Sequence, residues 1–135
     1  MLLNKMIKEC PKLLENISVK GLSLDSRDIK KGYLFFAIKG HSRNGENFVK
    51  EALSKGACAA VVSKKFRNIS NLPIIRVNDT KTILSRCCKI FFKKKPKNIV
   101  AVTGTNGKSS VADFFRQIFV LNKKKSSLNR NTRYH

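Results

Sequence analysis

The sequence has few of the features that mark membrane-spanning, secreted or metal-binding proteins. No apolar run approaches the roughly 20 residues that are needed to cross a bilayer. The first residues soon meet Glu9 and Pro11, and they lack the apolar core and small-residue cleavage site of a secretory signal. We therefore expect a cytoplasmic protein without a transmembrane segment.

Cysteine and histidine are too scarce and too scattered for a metal site. The four cysteines form no Cys-x-x-Cys pair, and the only histidines are His41 and His135. Cys87 and Cys88 lie in an apolar stretch with helical spacing. We expect free, buried thiols in a reducing compartment rather than redox or metal-binding cysteines.

Acidic residues are also scarce: 8 of them face 29 lysines and arginines, which gives a formal net charge of +21. Such a charge suggests a polyanionic partner, and a basic nucleic-acid-binding protein is one function to consider. However, the basic residues are spread along the whole chain, and the sequence offers no aromatic stacking platform or recognition helix. We expect weak, salt-sensitive adhesion to nucleic acid and no specific nucleic-acid partner.

The first 95 residues alternate between predicted strands and helices, which indicates an α/β domain. Apolar and β-branched runs predict strands over residues 19–24, 33–38, 57–62 and 73–77. An opening helix interrupted by Pro11, a helix around Phe48 that ends near Gly56, and a helix capped by Asp79 or Thr80 complete the pattern. The charged, proline-containing segment 93–97 predicts a domain boundary.

Residues 99–121 read as a strand, a glycine loop and a helix. The run over 99–103 is wholly apolar except for its last residue, as in a parallel-sheet strand covered on both faces. Backbone N–H groups of a glycine loop, together with the positive end of a helix dipole, bind phosphate oxygens. Lys108 can reach terminal phosphates, and the Ser109 hydroxyl can ligate magnesium. The strict phosphate-loop pattern would have glycine in place of Val102.

With these residues the sequence resembles a known family. The loop over residues 102–110 looks like the ATP loop of the Mur ligases and the related folylpolyglutamate synthetases, which also lack that first glycine. Residues 24–27, 32–41 and 44–48 resemble the uridine-nucleotide domain of the MurE and MurF branches, a domain that the folylpolyglutamate synthetases lack. Gly-Thr-Asn-Gly in the loop and Gly-His at residues 40–41 are more typical of MurE than of MurF.

The resemblance implies a fold and an activity. The fold would be a small uridine-nucleotide-binding α/β domain over residues 1–95, followed over 96–121 by the truncated start of a P-loop ATPase domain. The activity would be that of an ATP-dependent amide ligase, which activates the carboxylate of UDP-N-acetylmuramoyl-L-alanyl-D-glutamate as an acyl phosphate and adds meso-diaminopimelate or lysine during peptidoglycan synthesis. The alternatives are a MurF-type dipeptide-adding ligase and a UDP-sugar-binding module without catalysis.

The resemblance also implies binding residues, with ATP and Mg²⁺ as cofactors. Lys108 would be catalytic, and Ser109 would hold magnesium through ATP. The ATP-binding residues would be Gly104, Thr105, Asn106, Gly107, Lys108, Ser109 and Ser110. The UDP-sugar would contact Leu24, Ser26, His41, Ser42 and Arg43. Taken singly, Leu24 could instead be core, Ser26 a turn cap and His41 a solvated loop residue.

The sequence departs from the family pattern at several positions. Tyr33 replaces an aspartate, Asn44 and Glu46 replace aspartate and histidine, and the Ser109–Ser110 pair replaces two threonines while keeping both hydroxyls. Mur ligases are several times longer than this chain. We therefore expect residues from 98 onward to be inactive as an ATPase alone, and residues 122–135 to be a disordered or out-of-frame tail.

Overall fold

The computed structural model describes residues 1–40, 43–67, 71–93 and 98–124. The chain forms two compact units, Met1–Lys94 and Lys95–His135. Each unit has its own architecture. Within the described residues, no helix combines the length and the apolar character that a bilayer-crossing segment requires.

The first unit is built on a four-stranded parallel sheet. Its strands are β1 (Gly21–Ser23), β2 (Tyr33–Phe36), β3 (Ala59–Ser63) and β4 (Ile74–Val77), and their order in the sheet follows the chain. All three neighbouring pairs are parallel. The structure therefore confirms the predicted α/β class with a parallel sheet.

Both faces of this sheet are covered, which explains why its strands show no alternation of apolar and polar residues. In β2, Leu34 and Phe36 point into one apolar cluster, and Phe35 points into the other. The buried members of the first cluster are Leu3, Met6, Ile7, Val19, Leu34, Phe36, Ala59, Val61, Ile75, Val77, Ile83 and Cys87. Those of the second are Ile29, Phe35, Ala37, Val49, Ala52, Ala57, Ala60, Val62 and Ile74.

Two helices pack on this sheet where the sequence predicts them. Helix α1 (Val49–Ser54) follows a 3-10 turn, Gly45–Phe48. Helix α2 (Thr80–Phe91) begins after Asp79, whose side chain accepts a hydrogen bond from the Lys81 N–H at 2.9 Å and so caps the helix. All four cysteines are free. Cys87 of α2 is buried in the core as expected, whereas Cys10, Cys58 and Cys88 are only partly buried.

The prediction of an opening α-helix is wrong. The segment forms two short 3-10 turns, Leu3–Lys5 and Lys12–Leu14, separated by extended backbone at Pro11. Proline has no N–H to donate and its ring clashes with the preceding turn, so one α-helix cannot run through this position. Leu3, Met6 and Ile7 are nevertheless buried, as their spacing suggests.

The second unit contains one helix, α3 (Lys108–Leu121), and no strand among its described residues. The strand predicted over residues 99–103 does not form: Ile99 is 78% exposed and Val100 is 54% exposed. A parallel strand needs neighbours for its hydrogen bonds, and the described part of this unit offers none. Helix α3 ends at Leu121, and residues 122–124 follow it directly. The rest of the predicted tail lies outside the described residues.

Candidate functional site

The predicted substrate residues follow the carboxyl ends of two adjacent parallel strands. Leu24 and Ser26 come directly after β1, and Arg43 lies in the loop after β2. Open parallel sheets bind ligands at this edge, because the loops there meet in a crevice. His41 and Ser42, in the same loop as Arg43, lie outside the described residues.

Leu24 is exposed, so the alternative that it belongs to the core is wrong. Its side chain is 55% accessible and lines a shallow cavity of about 310 Å³ between the end of β1 and helix α2. The walls of this cavity are mainly apolar, with two acidic residues at the β1 end. Its lining residues are Leu22, Ser23, Leu24, Asp25, Asp28, Leu84, Cys88 and Phe92.

Ser26 is buried, with 6% of its surface exposed, and its hydroxyl is already bonded within the protein. The Ser26 Oγ donates to Glu51 Oε2 of α1 at 3.0 Å, and Glu51 Oε1 accepts from Lys55 Nζ at 2.6 Å. These two hydrogen bonds, the one from Lys55 first, lower the pKa of Glu51, so the carboxylate is ionised near neutral pH. The bond joins residues 25 positions apart, and nothing in the sequence pointed to Glu51.

The turn that carries Ser26 is held by its own side chains. Asp25 accepts hydrogen bonds from the Arg27 backbone N–H at 2.9 Å and from Arg27 Nη2 at 2.6 Å. The side-chain hydrogen bond from Arg27 lowers the pKa of Asp25 to about 2. Ser23 Oγ donates to the Asp25 carbonyl at 3.0 Å. The backbone that leaves β1 is therefore fixed by local hydrogen bonds.

The loop after β2 is closed by its backbone at two points. The Gly40 N–H donates to the Arg43 carbonyl at 2.8 Å, and the Gly45 N–H donates to the Ile38 carbonyl at 2.9 Å. A Cβ at Gly45 would lie 2.7 Å from both the Ile38 nitrogen and oxygen, so glycine is required there for the close approach. Arg43 itself is exposed.

Glu46 ties the end of this loop to the end of β3. Its Oε1 accepts hydrogen bonds from the Ser63 backbone N–H at 3.1 Å and from the Ser63 hydroxyl at 2.6 Å. The sequence shows Glu46 only as a departure from the family pattern. The structure shows that it anchors the loop that carries Arg43.

The predicted phosphate loop is exposed throughout, from Gly104 to Ser110. Gly107 has a φ of 72°, in the left-handed region that favours glycine, and it immediately precedes α3. A Cβ built on Gly107 would meet no atom within 4 Å, so the space in front of the loop is open. The Lys108 Nζ donates to the carbonyls of Gly104 and Thr105, the latter at 2.9 Å.

The start of α3 has the chemistry of an anion site. The first N–H groups of an α-helix have no acceptor within the helix, and here no side chain caps them. Lys108, Ser109 and Ser110 add an ammonium and two hydroxyls in the first turn. In the described parts of the chain, no three Asp, Glu, His or Cys side chains come together as metal ligands.

Comparison with known proteins extends over both regions. The sequence model of the "Mur ligase family, catalytic domain" matches residues 18–108. The UDP-N-acetylmuramoyl-L-alanyl-D-glutamate--2,6-diaminopimelate ligase of Rickettsia conorii is 44% identical over 115 residues, which are 85% of this chain and 24% of the relative. The chain thus spans about a quarter of the length of this curated relative.

Solved structures agree with this fold. A UDP-N-acetylmuramoyl-L-alanyl-D-glutamate--2,6-diaminopimelate ligase structure aligns with 91% of this chain and 26% of its own, with a TM-score of 0.66 and 23% identity. The MurF ligase of Thermotoga maritima, crystallised with ADP, aligns with 88% of this chain and 26% of its own, with a TM-score of 0.62 and 22% identity. By its sequence match over residues 18–108 and by its fold, the chain belongs to the Mur ligase family.

Proposed function

We propose that this chain supplies the substrate-binding part and the ATP loop of a MurE-type ligase. That enzyme would use ATP to join diaminopimelate to UDP-N-acetylmuramoyl-L-alanyl-D-glutamate in peptidoglycan synthesis. The observation that carries the proposal is the 44% identity over 115 residues to a relative named for this reaction. The MurF alternative has weaker support, since the Thermotoga maritima MurF structure shares only 22% identity and so argues for the fold alone.

We assign the two nucleotide sites to separate parts of the chain. Residues 1–95 would form the domain for the uridine nucleotide, with Leu24, Ser26 and residues 41–43 as its contacts. Their positions after β1 and β2 support this, because ligands of parallel sheets bind at that edge. Residues 96–121 would begin the ATPase domain. We place the protein in the cytoplasm.

The residues at the start of α3 fit a nucleotide phosphate. ATP would supply the phosphoryl group that activates the substrate carboxylate, with Mg²⁺ screening its charge. Gly104, Gly107 and the free N–H groups of α3 would bind phosphate oxygens, and Ser109 would offer its hydroxyl to the metal. The Lys108 ammonium would exchange its two loop carbonyls for phosphate oxygens, and it would thereby stabilise charge near the transferred group.

Calorimetric titration of the 135-residue chain with UDP-N-acetylmuramoyl-L-alanyl-D-glutamate tests the substrate assignment. We expect saturable binding that is weakened by Arg43→Ala, because an arginine guanidinium pairs with phosphate or carboxylate. Lys108→Met is the matched control, since it also removes one positive charge but lies in the other unit. It should leave this binding unchanged.

Two results would contradict the assignment. One is the absence of heat and of NMR shifts at millimolar substrate. The other is an equal loss of affinity in Arg43→Ala and Lys108→Met, because that would indicate nonspecific attraction of an anion by a protein of net charge +21.

A further inference from the structure

The hydrogen bond between Ser26 and Glu51 joins the candidate substrate site to helix α1. Ser26 opens the 3-10 turn Ser26–Asp28 after β1, and Glu51 lies in the middle of α1. The donor is the serine hydroxyl and the acceptor is the carboxylate, with 3.0 Å between the two oxygens. The other carboxylate oxygen accepts from Lys55 at 2.6 Å, so both carboxylate oxygens of Glu51 have a partner within the protein.

This arrangement restricts what Ser26 can offer to a ligand. A serine hydroxyl has one proton to donate and two lone pairs that accept. An ionised carboxylate only accepts, so Glu51 takes the single proton of Ser26. The remaining hydrogen-bonding capacity of the hydroxyl is that of an acceptor. A phosphate oxygen, which also accepts, has no donor to meet at Ser26 Oγ.

The neighbouring carboxylate does not compete for the Ser26 proton. Asp25 is next in sequence, but both of its oxygens accept from Arg27, at 3.0 Å from Nε and 2.6 Å from Nη2. Asp25 and Glu51 therefore each have defined donors: Arg27 donates to both oxygens of Asp25, and Lys55 and Ser26 donate to the two oxygens of Glu51.

We propose that Glu51 is a positioning residue for the uridine nucleotide: it keeps the proton of the Ser26 hydroxyl directed at α1, which leaves the lone pairs of that hydroxyl for a hydrogen-bond donor of the ligand. In a uridine nucleotide the donors are the N3–H of uracil and the hydroxyls of ribose. The inference rests on the proposed function, since it assumes that the first unit binds such a nucleotide. It adds a residue that does not itself touch the ligand.

The test measures the affinity of the full chain for uridine diphosphate in Glu51→Ala, Ser26→Ala and the double variant. We expect Glu51→Ala to raise Kd about fivefold to tenfold, as for the loss of one hydrogen bond. The double variant should match Ser26→Ala within about twofold, because Glu51 acts only through Ser26. A simple charge effect has the opposite sign, because removing a carboxylate near a diphosphate strengthens binding.

Two matched variants separate positioning from charge and from folding. Glu9→Ala removes the same charge from an exposed residue of the opening segment and should change Kd less than twofold. Glu51→Gln keeps the size of the side chain and one acceptor oxygen, so it should fold if Glu51→Ala does not, with a smaller rise in Kd. Thermal unfolding of each variant shows whether the protein is folded at the temperature of the titration.

Three ligand analogues identify the donor. N3-methyluridine diphosphate lacks the uracil N–H, 2′-deoxyuridine diphosphate lacks the 2′-hydroxyl, and 3′-deoxyuridine diphosphate lacks the 3′-hydroxyl. We expect the wild-type chain to bind one of them several-fold more weakly than uridine diphosphate, and Ser26→Ala to abolish that difference. Unaltered discrimination in Ser26→Ala, or none in the wild type, would contradict the proposed role of the lone pairs.

Failure of the positioning role is distinct from failure of the proposed function. If the wild-type chain does not bind uridine diphosphate at millimolar concentration, the proposed function is wrong. If it binds, and the Glu51 variants bind as well or more tightly, only the positioning role is wrong. Effects of Ser26→Ala and Glu51→Ala that multiply in the double variant would also overturn it.

Discussion

Both units of this chain contain apolar runs that predict strands, but the two units differ in how far their apolar side chains are buried. In Met1–Lys94, four short strands pair in one sheet and bury two apolar clusters, one on each face. In the described part of Lys95–His135, no residue is buried, and Phe114 and Ile118 of α3 are 63% and 55% exposed. An apolar sequence thus determines where a chain could be buried, and partner elements determine whether it is.

The same contrast applies to the two candidate sites. The residues after β1 lie on a sheet with a packed core and are held by three hydrogen bonds: Arg27 and Ser23 donate to Asp25, and Ser26 donates to Glu51. The phosphate loop is held mainly by Lys108, which bonds to carbonyls of its own loop. We therefore expect the first unit to keep its site geometry without help, whereas the loop of the second would depend on further elements of the proposed ATPase domain.

The strongest test of this contrast removes one phenylalanine from each unit. Phe36→Ala should lower the free energy of unfolding by about 3–5 kcal/mol, since the ring is completely buried. Phe114→Ala should change it by no more than about 0.5 kcal/mol, because that ring is mostly exposed. Urea unfolding followed by circular dichroism measures both. Equal losses would show that α3 shares a core with the sheet.

A second pair of variants compares two glycines. Gly45→Ala should cost about 1–3 kcal/mol, because its Cβ would lie 2.7 Å from backbone atoms of Ile38. Gly107→Ala strains a backbone with φ of 72°, but the added Cβ meets open space, and none of the described residues of its unit is buried. It should leave the unfolding midpoint of the first unit unchanged. A shift in that midpoint for Gly107→Ala, or no shift for Gly45→Ala, would contradict the expected difference between the two glycines.

The smallest expected effect concerns pH and the Asp25–Arg27 pair. Folding lowers the pKa of Asp25 from 3.8 to about 2, so the pair stabilises the fold fully above pH 3.8 and loses this effect as the pH falls through 2. The Arg27 side chain is mostly exposed, so solvent screens the pair and its contribution to stability should be small. Urea midpoints of Asp25→Asn and wild type should differ at pH 5 and converge near pH 2.

Asp28→Asn is the control for this measurement, because it removes the same charge from the same turn. Its difference from wild type should not follow the Asp25 profile. If the two variants lose stability over the same pH range, general charge repulsion rather than the Arg27 hydrogen bonds explains the effect.

Sequence patterns predicted the sheet well because each strand has its partners nearby in the chain. The runs at residues 33–38 and 57–62 became β2 and β3, which pair directly, and Asp79 caps α2 as its residue type suggested. The patterns were wrong where a neighbour decided the outcome. Pro11 divided the opening helix into turns, and residues 99–103 have no strand beside them among the described residues.

The candidate sites show the same difference between features set by neighbouring residues and features set by residues far apart in the chain. The sequence predicted the glycine loop and the helix that starts after Gly107, because a loop–helix motif depends on residues that are adjacent in the chain. Phosphate binding by this loop stays a prediction. It did not indicate Glu51 or Glu46, because each bonds to a residue 25 or 17 positions away. The only local sign at Glu51 was a lysine four residues later, which indicates an exposed helical ion pair and no contact with Ser26.

The residues by themselves determined the α/β class, the family, and the glycine loop with the helix that follows it, since these depend on local spacing and residue type. Only the tertiary structure decided that Leu24 is exposed while Ser26 is buried, that the Ser26 proton belongs to Glu51, and that residues 99–103 form no strand. The physical reason is that burial and hydrogen bonding require a partner in space, and chain distance does not encode which partners are present.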